Sequence, residues 1–155
     1  MAHLFIAQPT IVELPVFFNV DGVVGASPAV NNREDVLLVQ FAFQMIARHP
    51  KPNREEVNAA AQTVKITATV DTATINAIKA LQTFAKTEQG RAGQIVDGRV
   101  SPAKGYSYGG GFYWTIVYLN DAIQDFNVDI WPRIDKIAGC PPELQAMVFR
   151  TVAGK

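Results

Sequence analysis

The sequence has very few of the residues from which metal sites and nucleophilic sites are usually built. Its 155 residues contain one cysteine, Cys140, and two histidines, His3 and His49. A single cysteine excludes an intramolecular disulfide, and neither a second cysteine nor a closely spaced histidine pair is present to form a zinc site. Cys140 is followed by two prolines and has no histidine near it in sequence, which disfavours a nucleophilic role. The sequence therefore predicts no metal, no cofactor and no catalytic residue.

An excess of charge of one sign is also missing. The chain has 14 Lys and Arg residues and 14 Asp and Glu residues, which gives a formal net charge of zero. Proteins that bind nucleic acid usually carry a basic excess or stripe that releases counterions from phosphate, so we expect no nucleic-acid partner. A net charge near zero weakens the repulsion between copies and is compatible with a homo-oligomer.

Long apolar runs are absent as well. No stretch approaches the roughly 18 apolar residues of a membrane span, and the N-terminus lacks a basic segment followed by a long apolar one. We therefore expect no membrane span, and synthesis in the cytoplasm without a signal peptide. Such a protein leaves the cell by lysis, through a dedicated machine that ignores signal peptides, or as part of a particle.

What the sequence does contain is sufficient for a folded core, since 48% of its residues are hydrophobic and only 18% are charged. We predict a single domain over residues 1–155, mainly α with small β elements. Residues 1–30 are predicted to form extended N-terminal strands, residues 31–121 a helical core and residues 122–155 a C-terminal helical extension.

The clearest helix pattern lies in residues 71–88. Asp71 is placed to cap the N-terminus, and the apolar residues that follow are spaced three apart. They are Ile75, Ile78, Leu81 and Phe84. An earlier helix is predicted from Arg33 to His49, capped by Asn31 or Asn32. Its predicted core face consists of Val36, Val39, Phe43 and Ile46, with Gln40 beside it.

Shorter elements are predicted around these two helices. Helices are expected over residues 54–62, capped by Asn53, and over residues 112–125, 129–138 and 142–152. Extended segments are expected over residues 3–6, 10–18 and 64–70. The Asp97-Gly98 pair predicts a small hairpin within residues 94–100, because Asp-Gly is a preferred hairpin turn.

Four short segments resemble, in their order and approximate spacing, the signatures of one family. They are residues 32–40 (NREDVLLVQ), 74–84 (TINAIKALQTF), 97–102 (DGRVSP) and Leu119-Asn120. Together they resemble the peptidoglycan-binding-like domains, which are three-helix modules that bind the cell wall, over residues 20–121. The resemblance implies a compact helical bundle of that type, with additions at both ends. Leu81 stands where the family prefers Phe, and the loop after Val100 is longer than in the family.

The resemblance implies a non-catalytic module that binds cell-wall glycan or stem peptide. Such a module would act as an accessory or adaptor of a phage or of a contractile secretion or injection system. An alternative is a structural subunit that keeps the fold, has lost wall binding, and assembles with copies of itself or docks onto a larger protein assembly. A small cell-wall hydrolase is a third interpretation, because the sequence does not exclude a carboxylate pair for glycoside cleavage.

The candidate ligand-binding residues lie in and around a loop rich in glycine and tyrosine, residues 101–111. Aromatic rings offer a stacking surface for sugars, and cations pair with the carboxylates of a stem peptide. The candidates are Tyr106, Tyr108, Tyr113, Trp114, Arg99 and Lys104. The alternative is that Phe112 and Trp114 belong to the core, while the tyrosines pack an ordered loop or contact another protein.

Overall fold

The computed structural model describes residues 2–6, 16–104 and 113–153, and within them it confirms the predicted fold class, mainly α with small β elements. The helices are α1 (Arg33–Arg48), α2 (Glu55–Thr63), α3 (Thr72–Thr87), α4 (Thr115–Asp125) and α5 (Pro142–Gln145). The strands are β1 (His3–Ile6), β2 (Val16–Asn19), β3 (Val24–Gly25), β4 (Arg99–Val100) and β5 (Thr151–Ala153). No helix in these ranges is both long enough and apolar enough to cross a membrane.

Helix α1 is the centre of the bundle and contacts α2, α4 and α5. Its predicted core face is buried, and so are most of its other apolar residues, because neighbours surround it on several sides. The helix ends at Arg48 with His49 as its C-cap, as the restriction that Pro50 places on the preceding residue predicts. Asn32 is the N-cap residue, but its side chain donates to Asp35 instead of capping the backbone.

Helix α3 begins where the sequence predicts. The Oδ1 atom of Asp71 accepts a hydrogen bond of 2.9 Å from the backbone N–H of Thr74. This bond lowers the pKa of Asp71, because the charged carboxylate is the better acceptor. The predicted apolar stripe is only partly correct, since Ile75 and Phe84 are half-buried at its margins. The buried face uses steps of three and four and consists of Thr74, Ala77, Ile78, Leu81, Gln82 and Ala85.

The two ends of the described chain meet in one sheet of order β2-β1-β5. Strand β1 runs antiparallel to β2 and parallel to β5. The predicted C-terminal helical extension is therefore only partly helical. Helix α5 is one turn long and leads through a 3₁₀ turn, Ala146–Phe149, into β5. Pairing with β1 overrides the helical pattern there, beginning with the N–H of Leu4, which donates to the carbonyl of Arg150 at 2.8 Å.

Two other predictions are wrong in the part of the chain that is described, one about a helix and one about a cap. Residues 129–138 form turns and one 3₁₀ turn, Ile134–Lys136, rather than a helix. Trp131 packs edge-on against Phe18 of β2, with ring centroids 5.5 Å apart, so tertiary packing shapes this segment. The cap of α2 is Arg54, whereas Asn53 lies before it with a φ of 66°.

The Asp97-Gly98 turn does not close the predicted local hairpin. Strand β4 follows this turn and pairs antiparallel with the distant β3, so that Val24 lies opposite Val100 and Gly25 opposite Arg99. Gly25 has a φ of 126°, and a Cβ atom there would collide with the carbonyl oxygen of Gly98. The two backbones therefore approach as closely as they do only because Gly25 has no side chain.

Residues 64–70, predicted to be extended, form no strand, because one buried side chain takes the place of a strand partner. The N–H groups of Thr67 and Ala68 donate to Oε1 of Gln40 at 2.9 and 3.0 Å. The Nε2 atom of Gln40 donates to the carbonyl of Thr69 at 3.0 Å and to Oγ1 of Thr74 at 3.2 Å. The backbone of this turn is thereby satisfied without a sheet.

Candidate functional site

The candidate site is built on a second turn that is held by a buried glutamine. Gln82, on the buried face of α3, accepts at Oε1 from the N–H groups of Asp97 and Gly98 at 3.1 and 3.0 Å. Its Nε2 atom donates to the carbonyl of Arg99 at 2.9 Å and to Oγ1 of Thr115 at 3.1 Å. Gly98 has a φ of 71°, a conformation that favours glycine. Gln82 thus fixes the turn against α3 and against the start of α4.

A cavity of about 150 Å³ lies beside this turn. Its lining combines two side chains from the turn with residues of the segment before it and with the start of α4. The lining residues are Gln82, Gln94, Ile95, Asp97, Arg99, Ser101, Trp114 and Thr115. Residues that are distant in sequence therefore meet here because Gln82 fastens the turn to the bundle.

The electrostatics of the cavity are set by Arg99 and Asp97. Asp97 is already used by the turn, since its Oδ1 atom accepts from the N–H of Arg99 at 2.9 Å and from Nε2 of Gln82 at 3.2 Å. Arg99 touches Asp97 only through Nε, which lies 3.4 Å from Oδ2. Among the described residues, its two terminal nitrogens make no hydrogen bond or ion pair. The Arg99 side chain is 32% exposed, so these donors are partly shielded but accessible.

Gln94 also lines this cavity and has a buried acceptor without a partner among the described residues. The residue is 3% exposed, and its Oε1 atom is buried without a hydrogen-bond partner in the described structure. Its Nε2 atom makes only a long contact of 3.4 Å with the carbonyl of Ile95. A buried acceptor without a partner costs about 1–3 kcal/mol of stability. Ile95 adds an apolar surface, because it is 57% exposed.

The structure brings two of the six predicted ligand-binding residues to this cavity, namely Arg99 and Trp114. Tyr113 lies outside the lining. Its ring packs edge-on against Tyr118, with centroids 5.8 Å apart, and lies under the guanidinium of Arg91 at 5.0 Å. The remaining three do not line the cavity or fall in a segment that is not described. Lys104 is exposed, and Tyr106 and Tyr108 lie outside the described residues.

Sequence reasoning missed Gln82 and Gln94 as parts of this site. A signal for Gln82 was present, because it lies beside Leu81 and Ile78 on an otherwise apolar helix face. A polar side chain on such a face must find buried partners, and an Asp-Gly turn downstream offers unpaired backbone groups. Gln94 had no comparable signal, since it lies in an irregular segment between Gly93 and the turn.

A second cavity of about 320 Å³ lies between the start of α2 and the end of α3. Its lining is mostly charged and polar, and Arg54 there donates to Oδ1 of Asn58 and to the carbonyl of His49. Burial lowers the pKa of Arg54. No buried polar atom of this lining lacks a partner among the described residues, and no predicted site residue lines it. The cavity beside the Asp97 turn is therefore the better candidate.

The structure packs the side chains of Cys140 and His49, the reactive groups considered from the sequence, against other parts of the protein. Cys140 is buried, and burial raises the pKa of its thiol to about 11, so it is protonated at neutral pH and a poor nucleophile. His49 stacks on Phe126 with ring centroids 4.2 Å apart. Within the described ranges no group of His, Cys, Asp and Glu side chains is arranged to hold a metal ion.

Comparison of this chain with protein-family models, with curated proteins and with solved structures gave no match. The resemblance to peptidoglycan-binding-like domains therefore stays a prediction that rests on four motifs. Each motif contributes a side chain or turn that holds the fold together. Gln40 and Gln82 fasten the two turns, and Asp97-Gly98 forms one of them. Asn120 accepts from the N–H of Phe18 and donates to its carbonyl, which closes the outer edge of β2.

Proposed function

We propose that this protein is a non-catalytic module that binds cell-wall peptidoglycan at the cavity beside the Asp97 turn. The observation that supports the proposal is that this cavity combines an aromatic side chain, Trp114, with a partly exposed cation, Arg99, whose two terminal nitrogens make no hydrogen bond within the described part of the chain. Such a mixture of an apolar surface and a few polar groups is typical of small-molecule sites. The proposal also accommodates the four family-like motifs, because they build the scaffold that carries the cavity.

A pull-down on purified cell-wall sacculi tests this function. The wild-type protein is expected to be retained well above an unrelated globular protein of similar size and charge. Arg99→Gln removes the cation of the cavity and is expected to lower the retained fraction several-fold. Lys65→Gln removes the same charge from an exposed position away from the cavity and should leave retention unchanged. Retention of the wild type at the level of the unrelated protein would contradict the proposal.

The non-catalytic part of the proposal has its own readout. A suspension of cell walls should keep its turbidity when the purified protein is added, because the proposal includes no bond cleavage. Clearing that disappears in Asp97→Asn, with the variant still folded, would instead support the cell-wall hydrolase considered from the sequence.

A structural, self-assembling subunit is the second candidate. One observation favours it, namely an exposed aromatic side chain next to the outer strand of the sheet. In the described part of the chain β5 is an edge strand, and Phe149 just before it is 73% exposed. Edge strands pair readily with further strands. The other edge is less suited to this, because Asn120 occupies the backbone groups of Phe18. Light scattering that gives a monomer mass at every concentration would exclude this candidate.

A further inference from the structure

The sheet that joins the two ends of the described chain has one closed edge and one open edge. At β2 the side chain of Asn120 accepts a hydrogen bond of 2.6 Å from the N–H of Phe18 and donates to its carbonyl at 2.8 Å, so these groups are not offered to a further strand. Strand β5 lies at the opposite edge, and among the described residues no strand pairs with its outer side. None of the residues of β5 lines the cavity beside the Asp97 turn, so a contact made at this edge is independent of wall binding.

The hydrogen bonds between β5 and β1 determine which backbone groups of β5 face outwards. The two strands are parallel, with Leu4 opposite Thr151, and the N–H of Leu4 donates to the carbonyl of Arg150 at 2.8 Å. In a parallel ladder a strand uses the groups of every second residue towards a given neighbour. Val152 therefore faces β1 with both its N–H and its carbonyl, whereas Thr151 and Ala153 present theirs on the outer side.

The residues of β5 lack the charges and prolines that usually protect an edge strand. Their sequence is Thr-Val-Ala. The charge of the preceding Arg150 is engaged within the same chain, because its guanidinium pairs with Glu34 of α1. Phe149, one residue earlier, adds an aromatic side chain that is 73% exposed. An uncharged edge next to an exposed aromatic side chain is typical of a protein–protein contact.

The outward groups of β5 are complementary to those of a second β5. If the two strands run antiparallel about a two-fold axis at Val152, Thr151 of each copy lies opposite Ala153 of the other. Each such pair exchanges both of its hydrogen bonds, so the outward N–H and carbonyl groups of the strand are all used. The formal net charge of zero gives no net repulsion between copies, and two-fold homodimers are the commonest soluble oligomers. Such a contact is closed, because within the described strands Asn120 already holds the edge at β2.

We infer that the protein forms a two-fold symmetric dimer in which β5 pairs antiparallel with β5 of a second copy and joins the two three-stranded sheets into one. One short strand and Phe149 from each copy make a small interface, so the dimer should be weak and concentration-dependent. Light scattering at increasing protein concentration should show a shift from the mass of one chain to that of two, with no further growth. A monomer mass at every concentration, or growth beyond a dimer, would overturn the inference.

Amide hydrogen exchange, followed by NMR, locates the contact. The N–H of Val152 faces β1 and should exchange slowly at every concentration. The N–H groups of Thr151 and Ala153 should exchange quickly in the monomer and at least about tenfold more slowly once the dimer predominates. Dimerisation without this protection would show that the copies meet at another surface, and it would overturn the inference.

Thr151→Pro removes an outward N–H and leaves the hydrogen bonds between β5 and β1 in place. Proline is accepted on an edge strand where the N–H faces outwards, and Arg150 before it has the extended backbone that a following proline requires, with a φ of −106° and a ψ of 108°. The melting temperature should stay close to that of the wild type. The dissociation constant of the dimer should rise at least about tenfold, because a hydrogen bond is lost at each end of the contact.

Thr151→Val is the matched control for this variant, because it changes the side chain and keeps the N–H. Its dissociation constant should stay within about twofold of the wild-type value. Equal dimerisation of the proline and valine variants would overturn the inference.

A cysteine cross-link tests the register without the proline variant. In the dimer Val152 lies opposite Val152 of the other copy in a pair without hydrogen bonds, where the Cα atoms are about 4.5 Å apart. That distance suits a disulfide, so Val152→Cys in a Cys140→Ser background should give a disulfide-linked dimer on mild oxidation. Ala153→Cys in the same background is the control, since its two copies lie about 8–9 Å apart, too far for a disulfide. Equal cross-linking of the two variants would overturn the inference.

Dimerisation and wall binding are tested by separate measurements. A protein that stays monomeric and is retained on sacculi would overturn the inference and leave the proposed function standing. A dimer with the expected exchange pattern that is not retained on sacculi would overturn wall binding and support the second candidate, the self-assembling subunit.

Discussion

Two turns in this molecule are held in the same way, and the comparison between them separates scaffold from site. The side chain of Gln40 on α1 holds residues 67–69, and that of Gln82 on α3 holds residues 97–99. Each glutamine accepts from two successive N–H groups and donates to the next carbonyl. Each also donates to a threonine hydroxyl near the start of the following helix, α3 in one case and α4 in the other.

The two turns differ in the residues that they present. The first turn carries threonines on either side of Ala68, and none of its residues lines either cavity described above. The second turn carries Asp97 and Arg99 on either side of Gly98, and both charged side chains line the 150 Å³ cavity. The same backbone arrangement thus occurs twice, once without charged side chains and once with charged side chains that line a cavity. Its function therefore depends on the flanking residues rather than on the glutamine.

The largest expected effect comes from removing the glutamines. Gln40→Ala and Gln82→Ala each leave two N–H groups and a carbonyl without the partner that they have in buried or partly buried hydrogen bonds, so each should lower the free energy of unfolding by about 3 kcal/mol. Gln62→Ala, at an exposed position of α2, is the matched control and should cost less than about 0.5 kcal/mol. Urea denaturation measures all three. A loss confined to one glutamine would break the equivalence of the two turns.

Substitution of Gly25 tests the contact between β3 and the second turn, which has no counterpart at the first turn. Gly25→Ala places a Cβ atom against the carbonyl of Gly98 in a backbone conformation that L residues rarely adopt. Because the obstacle is backbone and cannot rotate away, we expect a loss of at least about 2 kcal/mol in urea denaturation. Gly90→Ala has a φ of 68°, in the left-handed region, and meets no atom within 4 Å, so it measures the cost of a positive φ without a collision. Equal losses in the two variants would show that neither the contact with Gly98 nor the φ of 126° at Gly25 adds a cost beyond that of a left-handed residue.

The central residues of the two turns, Ala68 and Gly98, can each be replaced by the residue found in the other turn. Gly98→Ala should lower the free energy of unfolding by about 1–2 kcal/mol, because alanine is disfavoured at a φ of 71° and its Cβ would lie 2.9 Å from Cε of Lys79. Ala68→Gly should change it by less than about 0.5 kcal/mol, since relief of the same strain at a φ of 67° is offset by the lost methyl group and the added chain entropy. Thermal and urea unfolding measure both variants. A large loss in Ala68→Gly would indicate that the methyl group dominates.

The helices that follow the two turns differ in their N-terminal caps. Removing the cap of α3 is expected to have the smallest effect on the free energy of unfolding. Helix α3 is capped by Asp71, whereas the side chain of Trp114, the N-cap residue of α4, makes no capping hydrogen bond. The pKa of Asp71 lies below its ordinary value of 3.8, so its stabilisation is present above that pH and is lost as the pH falls through the lower folded pKa. Asp71→Ala should cost about 1 kcal/mol at pH 7 and less below pH 3.8.

Asp71→Asn is the control for this titration, because asparagine caps as well as aspartate but does not ionise. Urea denaturation between pH 7 and pH 3 compares the three proteins. If the difference between wild type and Asp71→Ala were the same at both ends of this range, the charge of Asp71 would have no role in the cap.

Much of the helical scaffold could be predicted from local pattern. The stop of α1 before Pro50 and the start of α3 at Asp71 follow from short-range rules of backbone geometry and capping. The candidate site was predicted less well. Arg99 and Trp114 line the cavity, but Gln94 was not among the predicted residues, because nothing in its neighbours indicates that it becomes buried.

The sequence by itself determined the fold class and the positions of α1 and α3, because a helix is specified by hydrogen bonds and side-chain spacing within about four residues. Tertiary structure alone decided the pairing of β4 with β3, the strand β5 in place of a helix, and the cavity itself. These depend on partners remote in sequence, such as Asn120 and Phe18, which are 102 positions apart. The Asp97-Gly98 pair signalled a turn, but only the buried amide of Gln82 decided where that turn lies and what it faces.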